Sequence, residues 1–289
     1  MTPKVAVVTG ASRGAGKGIA LGLAAKGMTV YVTGRSGSKA VATLKGEILP
    51  GTLDETVAAI NDAGGTGIGV VCDHADDGQT KQLFQQVADE QGRLDILVNN
   101  AAHVDDALID PGGFWEKPLA LAQILDVGLR SSYVASYYAA PMMVAQKSGL
   151  IVFTSSFGGV CYMHGPAYGA QKAGCDKFAT DMAIDLEHEQ VAVVSLWLGP
   201  QLTERTEVVL KHRGEQYDDF MAVAETPQFN GGVIYALACD PALQEKSGKT
   251  LITAELAVEY GIADVGGKQP PSYREQLGEP RVPHPARVV

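Results

Sequence analysis

Tyr168 and Lys172 stand one helical turn apart, with Ser155 and Ser156 shortly upstream. Residues four apart share a helix face. A phenol titrates at about 10 when unperturbed, and a neighbouring cation favours its ionised form, giving a proton donor usable near neutral pH. Together these groups suit the transfer of a hydride and a proton to or from a carbonyl. In a chain with 10 tyrosines, about half a Tyr-x-x-x-Lys match is expected by chance. The single match here follows a strand ending in Thr154-Ser155-Ser156 and lies on an Ala-rich helical pattern, which is far more specific.

Such chemistry needs a cofactor, and the other end of the chain offers a place for one. Thr9-Gly10-Ala11-Ser12-Arg13-Gly14-Ala15-Gly16 follows a strand and opens a helix. Gly10, Gly14 and Gly16 allow a tight turn, and with Ser12 and Arg13 they would bring a pyrophosphate against backbone N–H groups at a helix N-terminus. The second strand ends in Gly34-Arg35 rather than at an acidic residue. An arginine there suits a ribose 2′-phosphate, with Arg13 as a second clamp, so the expected cofactor is NADP(H). Asp73 follows the third strand, where it would accept from the adenine amino group or else start a turn. Asn99-Asn100-Ala101-Ala102 closes the fourth strand, putting Asn99 and Ala101 at the adenosine site, where Asn99 also supports adjacent backbone.

The elements that must position these groups are legible as apolar runs alternating with amphipathic stretches, the pattern of repeated βα units. Strands are expected at Val5–Thr9, Thr29–Thr33, Gly67–Cys72, Ile96–Asn99, Leu150–Thr154, Val191–Leu196 and Thr250–Thr253. Helices are expected at Gly16–Lys26, Asp54–Ala63, Thr80–Gln91, Leu119–Ala145, Ala167–Glu187 and Gln228–Cys239. The fold class is α/β: a Rossmann-type, doubly wound parallel sheet of about seven strands with helices on both faces. No internal repeat or linker divides it, so residues 1–267 read as one domain with a substrate loop near 200–226, where a mobile lid would sit. Gly34–Thr52 reads as a Gly/Ser-rich insertion. The tail, residues 268–289, carries five prolines, so no regular element is expected there; it is either disordered or docked on a neighbouring subunit.

Bulk properties exclude several function classes. The 289 residues are 46% hydrophobic and 19% charged, a globular composition. A net charge of −10 disfavours nucleic acid or an anionic membrane as the main partner. No apolar run reaches the ~18 residues of a membrane span and no signal peptide is visible, which places the protein in the cytoplasm. Cys72, Cys161, Cys175 and Cys239 form no metal-ligand spacing and read as buried small hydrophobes; no metal is expected.

These motifs jointly resemble the short-chain dehydrogenase/reductase family, from Val5 to about Thr253. The resemblance rests on Thr9-Gly10-x-x-x-Gly14-x-Gly16, Asn99-Asn100-Ala101-Ala102, Ser155-Ser156 and Tyr168-x-x-x-Lys172. It implies an NADP(H)-dependent carbonyl reductase or alcohol dehydrogenase, assembled as a homodimer or homotetramer. Carried over, Tyr168 is the general acid in reduction and the base in oxidation, and Lys172 eases its ionisation and hydrogen-bonds the nicotinamide ribose. Either Ser156 or Ser155 orients the carbonyl: local register favours Ser156, and the family's usual interval to the tyrosine favours Ser155. The chain departs from the family at two places. Gly128 stands where many members have an asparagine supporting a proton-relay water, leaving a water, a backbone carbonyl or Ser131/Ser132 to substitute. Leu198-Gly199-Pro200 replaces the usual Pro-Gly, which bears on Thr203 as a cofactor contact.

His103, Phe114, Trp115, Phe157, Cys161, Tyr162 and Met163 suggest an apolar, partly aromatic pocket, hence a small hydrophobic carbonyl or alcohol substrate. Among the histidines, His103 and His164 are the expected pocket neighbours, and the others are read as loop or surface residues. The pairs Asp76-Asp77, Asp105-Asp106 and Asp218-Asp219 read as solvated turns. Tyr133, Tyr137 and Tyr138 suit a subunit interface. Two rival readings keep the fold but change the role: a non-catalytic NADP(H)-binding regulator, or an isomerase or dehydratase reusing the tyrosine.

Overall fold

The computed structural model describes residues 4–213 and 222–288. Unbroken Val/Ile/Leu runs suit strands covered on both faces, and seven strands form one sheet. They are β1 (Val5–Val8), β2 (Thr29–Gly34), β3 (Thr66–Val71), β4 (Ile96–Asn99), β5 (Gly149–Ser155), β6 (Val191–Trp197) and β7 (Thr250–Ile252). Their order is β3-β2-β1-β4-β5-β6-β7, and every pairing is parallel. The order reverses between β1 and β4, the switch point where open α/β sheets bind ligands.

Alternation along each strand assigns side chains to two cores. Ala6, Val8, Val30, Val98 and Val152 pack under helices α1 (Gly14–Ala24), α2 (Leu53–Asp62) and, later in the chain, Pro227–Ala238. Val5, Val7, Leu97, Ile151 and Phe153 face α3 (Asp77–Gln91), α4 (Ser131–Gln146) and α5 (Pro166–Asp185). Caps fix where helices begin: Thr52 and Glu55 form a reciprocal capping box on α2, and Asp76 accepts from Gly78 and Gln79 on α3. Two later helices are α6 (Glu204–Arg213) and α7 (Pro227–Ala238).

Helices α1 and α7 approach through glycine. A Cβ on Gly22 would stand 2.7 Å from Gly231 Cα, and one on Gly18 would stand 2.1 Å from Pro227 Cβ. This close approach seats α1, whose N-terminus carries the glycine turn.

The structure departs from the sequence reading in several places. The expected helix over Leu119–Ala145 is broken: a 3₁₀ turn at Leu119–Ala122 leads to a kink where Gly128 takes φ 146°, and α4 starts at Ser131. Within the insertion, Thr43–Leu44 pairs with Glu47–Ile48 as a small hairpin, and Leu44 and Leu49 pack with Val208 of α6. The tail contains a helical turn at Arg274–Leu277 and docks on its own chain. Tyr273 and Leu277 pack with Phe157 and Trp197, while Arg274 bonds both oxygens of Glu255 at 2.9 and 2.7 Å. Its prolines flank this turn rather than interrupt it. His74 is a core residue, not a surface one: its Nε2 lies 2.7 Å from Thr33 Oγ1, and burial lowers its imidazole to about 4. Cys72 and Cys175 are buried, whereas Cys161 is half-buried and Cys239 exposed. Among the described residues, no helix is long and apolar enough to cross a membrane. The expected substrate loop near 200–226 falls partly outside the described residues, and Asp218-Asp219 lies wholly outside them.

Substituting Gly22→Val forces these two helices apart and should cost about 1–3 kcal/mol of stability, as overpacking does. Urea unfolding measures it; an unchanged midpoint would contradict the close approach.

Candidate active site

Strand β5 ends at Ser155, and the pleat sends Ser155 and Ser156 in different directions. Ser156 caps a 3₁₀ turn, Phe157–Gly159, and its Oγ lies 3.0 Å from Tyr168 OH. Ser155 instead donates to the Lys172 carbonyl at 3.3 Å. The structure therefore brings Ser156, and not Ser155, to the phenol. Gly158 makes room for this contact, because a Cβ there would stand 2.6 Å from Tyr168 Cε1.

Tyr168 sits in the first turn of α5, which Pro166 starts after Gly165 at φ 96°. Lys172 follows one turn later. Its Nζ donates to Thr154 O at 3.1 Å and lies 5.4 Å from the Tyr168 ring centroid. A further turn along, Asp176 accepts from Ser195 Oγ at 2.6 Å and from Trp197 Nε1 at 3.1 Å. Burial raises the Asp176 carboxyl, against hydrogen bonds from Ser195, Ser155 and Trp197. This residue ties α5 to β5 and β6, and nothing in the sequence motif marked it.

Gln171 was also missed. Its Nε2 donates to Gly128 O at 3.0 Å, and a Cβ on Gly128 would meet Gln171 Cγ at 3.3 Å. The space left by the missing side chain at 128 is thus filled from α5. Ser131 and Ser132 engage the same glycine: Gly128 N donates to Ser131 Oγ at 3.0 Å, and Ser132 Oγ donates to Gly128 O at 2.8 Å.

At the cofactor end, the glycine turn is held by Asn100 rather than Asn99. Asn100 Nδ2 donates to Thr9 O at 2.9 Å and Gly10 O at 3.0 Å, and Ala101 N donates to Thr9 Oγ1 at 3.0 Å. Close approach requires the glycines: Gly10 has φ 65°, and a Cβ on Gly16 would stand 2.4 Å from Gly10 O. Asn99 Nδ2 donates to Ser136 Oγ at 2.9 Å, a structural role. Asp73 caps a turn by accepting from Ala75 N at 3.0 Å. Ser12 is buried beneath the turn.

Arg13 is less free than expected. Its guanidinium donates to Pro50 O, Gly51 O and Ser36 Oγ at 2.9, 2.8 and 3.0 Å, anchoring the insertion. Burial, opposed by the Glu204 charge and reinforced by Arg35, lowers its pKa. Arg35 is exposed at the end of β2. On the far side of the turn, Thr203 Cγ2 lies 3.7 Å from where a Gly14 Cβ would be, and Gly14 N donates to a Glu204 carboxylate oxygen at 2.8 Å. A carboxylate on the N-terminus of α1 shows that this end accepts an anion, as the local dipole and free N–H groups dictate. The backbone N–H groups of Gly14–Gly16 fit the pyrophosphate of a nicotinamide dinucleotide.

Beside the phenol lies a cavity of ≈ 140 Å³, lined by Leu108, Phe114, Leu119, Tyr162 and His164 among others. The His164 ring meets Tyr168 edge-on, with centroids 5.0 Å apart. Although much of His164 is exposed, desolvation of its ring and the Lys117 and Lys172 charges hold its imidazole below the ordinary range. Phe157, Cys161 and Met163, expected in the pocket, instead pack with Trp197 and the tail. His103 is tied by its backbone N–H to Val127 O at 2.7 Å.

Replacing Asp176 by Ala leaves two buried donors without acceptors, at about 1–3 kcal/mol each. Urea unfolding measures the loss, and a variant as stable as the parent would remove Asp176 from this role.

Comparison with known proteins agrees with the geometry. The family model for short chain dehydrogenase matches residues 4–214. The chain is 40% identical over 285 residues to dehydrogenase/reductase SDR family member 1 of Mus musculus, covering 94% of this chain and 87% of that one. It is 33% identical over 253 residues to a 3-oxoacyl-acyl-carrier-protein reductase of Synechocystis, covering 86% and 95%. A short-chain type dehydrogenase/reductase from Mycobacterium marinum matches in structure with TM-score 0.71 at 25% identity, covering 86% and 93%. With the parallel sheet, the glycine turn and the serine–tyrosine contact in place, the chain belongs to the short-chain dehydrogenase/reductase family of nicotinamide-dependent oxidoreductases.

Proposed function

We propose that this protein is an NADP(H)-dependent oxidoreductase interconverting a hydrophobic ketone or aldehyde and its alcohol. The observation that carries the reading is the 3.0 Å contact between Ser156 Oγ and Tyr168 OH, with His164, which meets the Tyr168 ring edge-on, lining an apolar cavity. Two hydroxyls this close form a cradle for one carbonyl oxygen.

NADPH supplies the hydride when bound. The 2′-phosphate falls to Arg35, since Arg13 is committed to the insertion, and the pyrophosphate falls to the Gly14–Gly16 turn. Lys172 and Thr203 would hold the nicotinamide end. In reduction, Ser156 orients the carbonyl oxygen, and Tyr168 donates its proton as that oxygen becomes an alkoxide. The Lys172 ammonium offsets the negative charge left on the phenol oxygen. In oxidation the same groups act in reverse.

The cavity supports an apolar substrate. A cavity of about 150 Å³ lined by apolar side chains binds benzene, so ≈ 140 Å³ takes a body of roughly one ring. Phe114, Leu119 and Tyr162 leave the mouth exposed and apolar. Self-association as a homodimer or homotetramer belongs to the same reading, supported by exposed Tyr133 and Tyr137 on α4.

Two kinetic outcomes follow. In an assay of NADPH absorbance with a panel of ketones, Tyr168→Phe should lose about 10²–10⁴-fold in turnover while still binding NADPH; an unaffected rate would remove Tyr168 from the mechanism. Arg35→Ala should raise KM for NADPH about 10-fold or more, as loss of a charge-assisted bond does, with KM for NADH nearly unmoved. Equal effects on both would assign Arg35 to the surface.

A further inference from the structure

The glycine turn receives no capping carboxylate from its own helix. The first turn of α1 holds no acidic residue, and Arg13, at its N-cap, makes no side-chain capping bond. The bond that Gly14 N does make reaches 190 residues along the chain, to Glu204 Oε2 at 2.8 Å. A backbone N–H at the positive end of a helix thus holds an anion that the chain itself supplies. This amide belongs to the turn assigned above to the cofactor's pyrophosphate.

Glu204 is delivered there on a well-held stem. Thr203 caps α6 by accepting from Thr206 N at 3.2 Å, and Thr206 Oγ1 donates to Gln201 O at 2.8 Å. Behind them Glu225, just before α7 and 1% exposed, accepts from Gly199 N at 3.1 Å and from the Gln201 side-chain amide. Its backbone N donates to Pro200 O at 2.8 Å. Further along α6, Val208 packs with Leu44 and Leu49 of the insertion, which Arg13 anchors through Pro50 O and Gly51 O. A Cβ on Gly51 would stand 2.6 Å from Ser12 O, so the insertion lies close against the glycine turn. The helix is therefore fixed at both places, whereas the glutamate side chain turns about its own bonds. Its carboxylate can leave Gly14 while α6 stays.

We infer that Glu204 is an internal counter-ligand of the cofactor: its carboxylate holds the Gly14 N–H and must give it up for the pyrophosphate to bind. The inference rests on the reading of that turn as the NADP(H) site. A single N–H hydrogen serves one strong acceptor, and two anions brought to the same half-buried helix end repel each other. Arg13 does not take the carboxylate over, because its guanidinium is turned to Pro50, Gly51 and Ser36. Glu204 thereby weakens the hold on the cofactor and favours its exchange.

Removal of such a group has a definite sign. A residue that anchored α6 equally with and without cofactor would, once removed, leave NADPH binding weaker or unchanged. A counter-ligand, once removed, makes binding tighter, because the free protein loses a bond that the complex has already given up. The gain is confined to ligands that carry the pyrophosphate. A ligand held by its 2′-phosphate at Arg35, at the end of β2, gains nothing.

The test compares the wild-type protein with Glu204→Gln, which removes the charge and keeps the shape, and with Glu204→Ala. NADPH, inorganic pyrophosphate and adenosine 2′-monophosphate are titrated by calorimetry, and Tm is measured with and without saturating NADPH. We expect both variants to bind NADPH about 5- to 10-fold more tightly than wild type, about 1 kcal/mol or a little more. Pyrophosphate should follow in the same direction, and adenosine 2′-monophosphate should bind all three proteins alike. Without cofactor, Tm should drop by a few degrees in both variants, as loss of a helix cap does, and the three proteins should converge at saturating NADPH. No gain for NADPH or pyrophosphate in either variant would overturn the inference. An equal gain for adenosine 2′-monophosphate would overturn it too, reducing Glu204 to part of the general surface charge. If none of the three proteins binds NADPH while the variants still bind pyrophosphate more tightly, the counter-ligand stands and the cofactor reading fails.

Discussion

Parallel strand register is the constraint on which everything else in this protein depends. Because Val8 pairs with Val98, Asn99 with Phe153 and Ser155 with Trp197, the carboxyl ends of the central strands finish at one edge (β1, β4, β5 and β6). Every loop that leaves this edge starts beside its neighbours. The glycine turn, the Asn99-Asn100 corner, the serine turn and the Gly199–Leu202 segment are therefore adjacent in space although they are spread along most of the chain. A sheet of this kind survives only if helices cover both faces, and those helices deliver Tyr168 and Lys172 to the same edge.

Having converged, the loops bring many polar groups into a region with little water. Their satisfaction determines the geometry more than the reactive residues do. Asn100 closes the glycine turn onto β4, Asp176 gathers donors from β6, and Gln171 reaches the Gly128 carbonyl. Each bond is worth only about 1 kcal/mol net, but an orphaned partner would cost more. That asymmetry locks the 3.0 Å approach of Ser156 to Tyr168.

The two departures from the family pattern share a physical logic. Where a side chain is missing at Gly128, the volume is filled by Gln171 from the opposing helix. Where the turn after β6 differs, Glu225 supplies the bonds to the Gly199 amide and Gln201. A local change has in each case been absorbed by a residue distant in sequence. The reading of this chain as a catalyst, rather than as a regulator that kept the fold, draws support from that compensation.

Periodicity and punctuation alone sufficed for the seven strands, the helices α1, α3, α5 and α7, and the placement of Tyr168, Lys172 and the glycine turn, because those signals are local. The break at Gly128 escaped because helical periodicity continues across it. The docking of the tail escaped because a count of prolines says nothing about the distant apolar surface on which Tyr273 and Leu277 settle. By itself the sequence determined which groups exist for chemistry and on which elements they ride, since spacing fixes a helix face and a strand's end. Only the tertiary structure set Ser156 rather than Ser155 against the Tyr168 hydroxyl, committed Arg13 to the insertion, gave Asp73 to a turn, and enlisted Asp176, Gln171 and Glu225. Those outcomes depend on which donor meets which acceptor across elements far apart in the chain, and hydrogen bonding at a range of about 3 Å leaves no trace in local pattern.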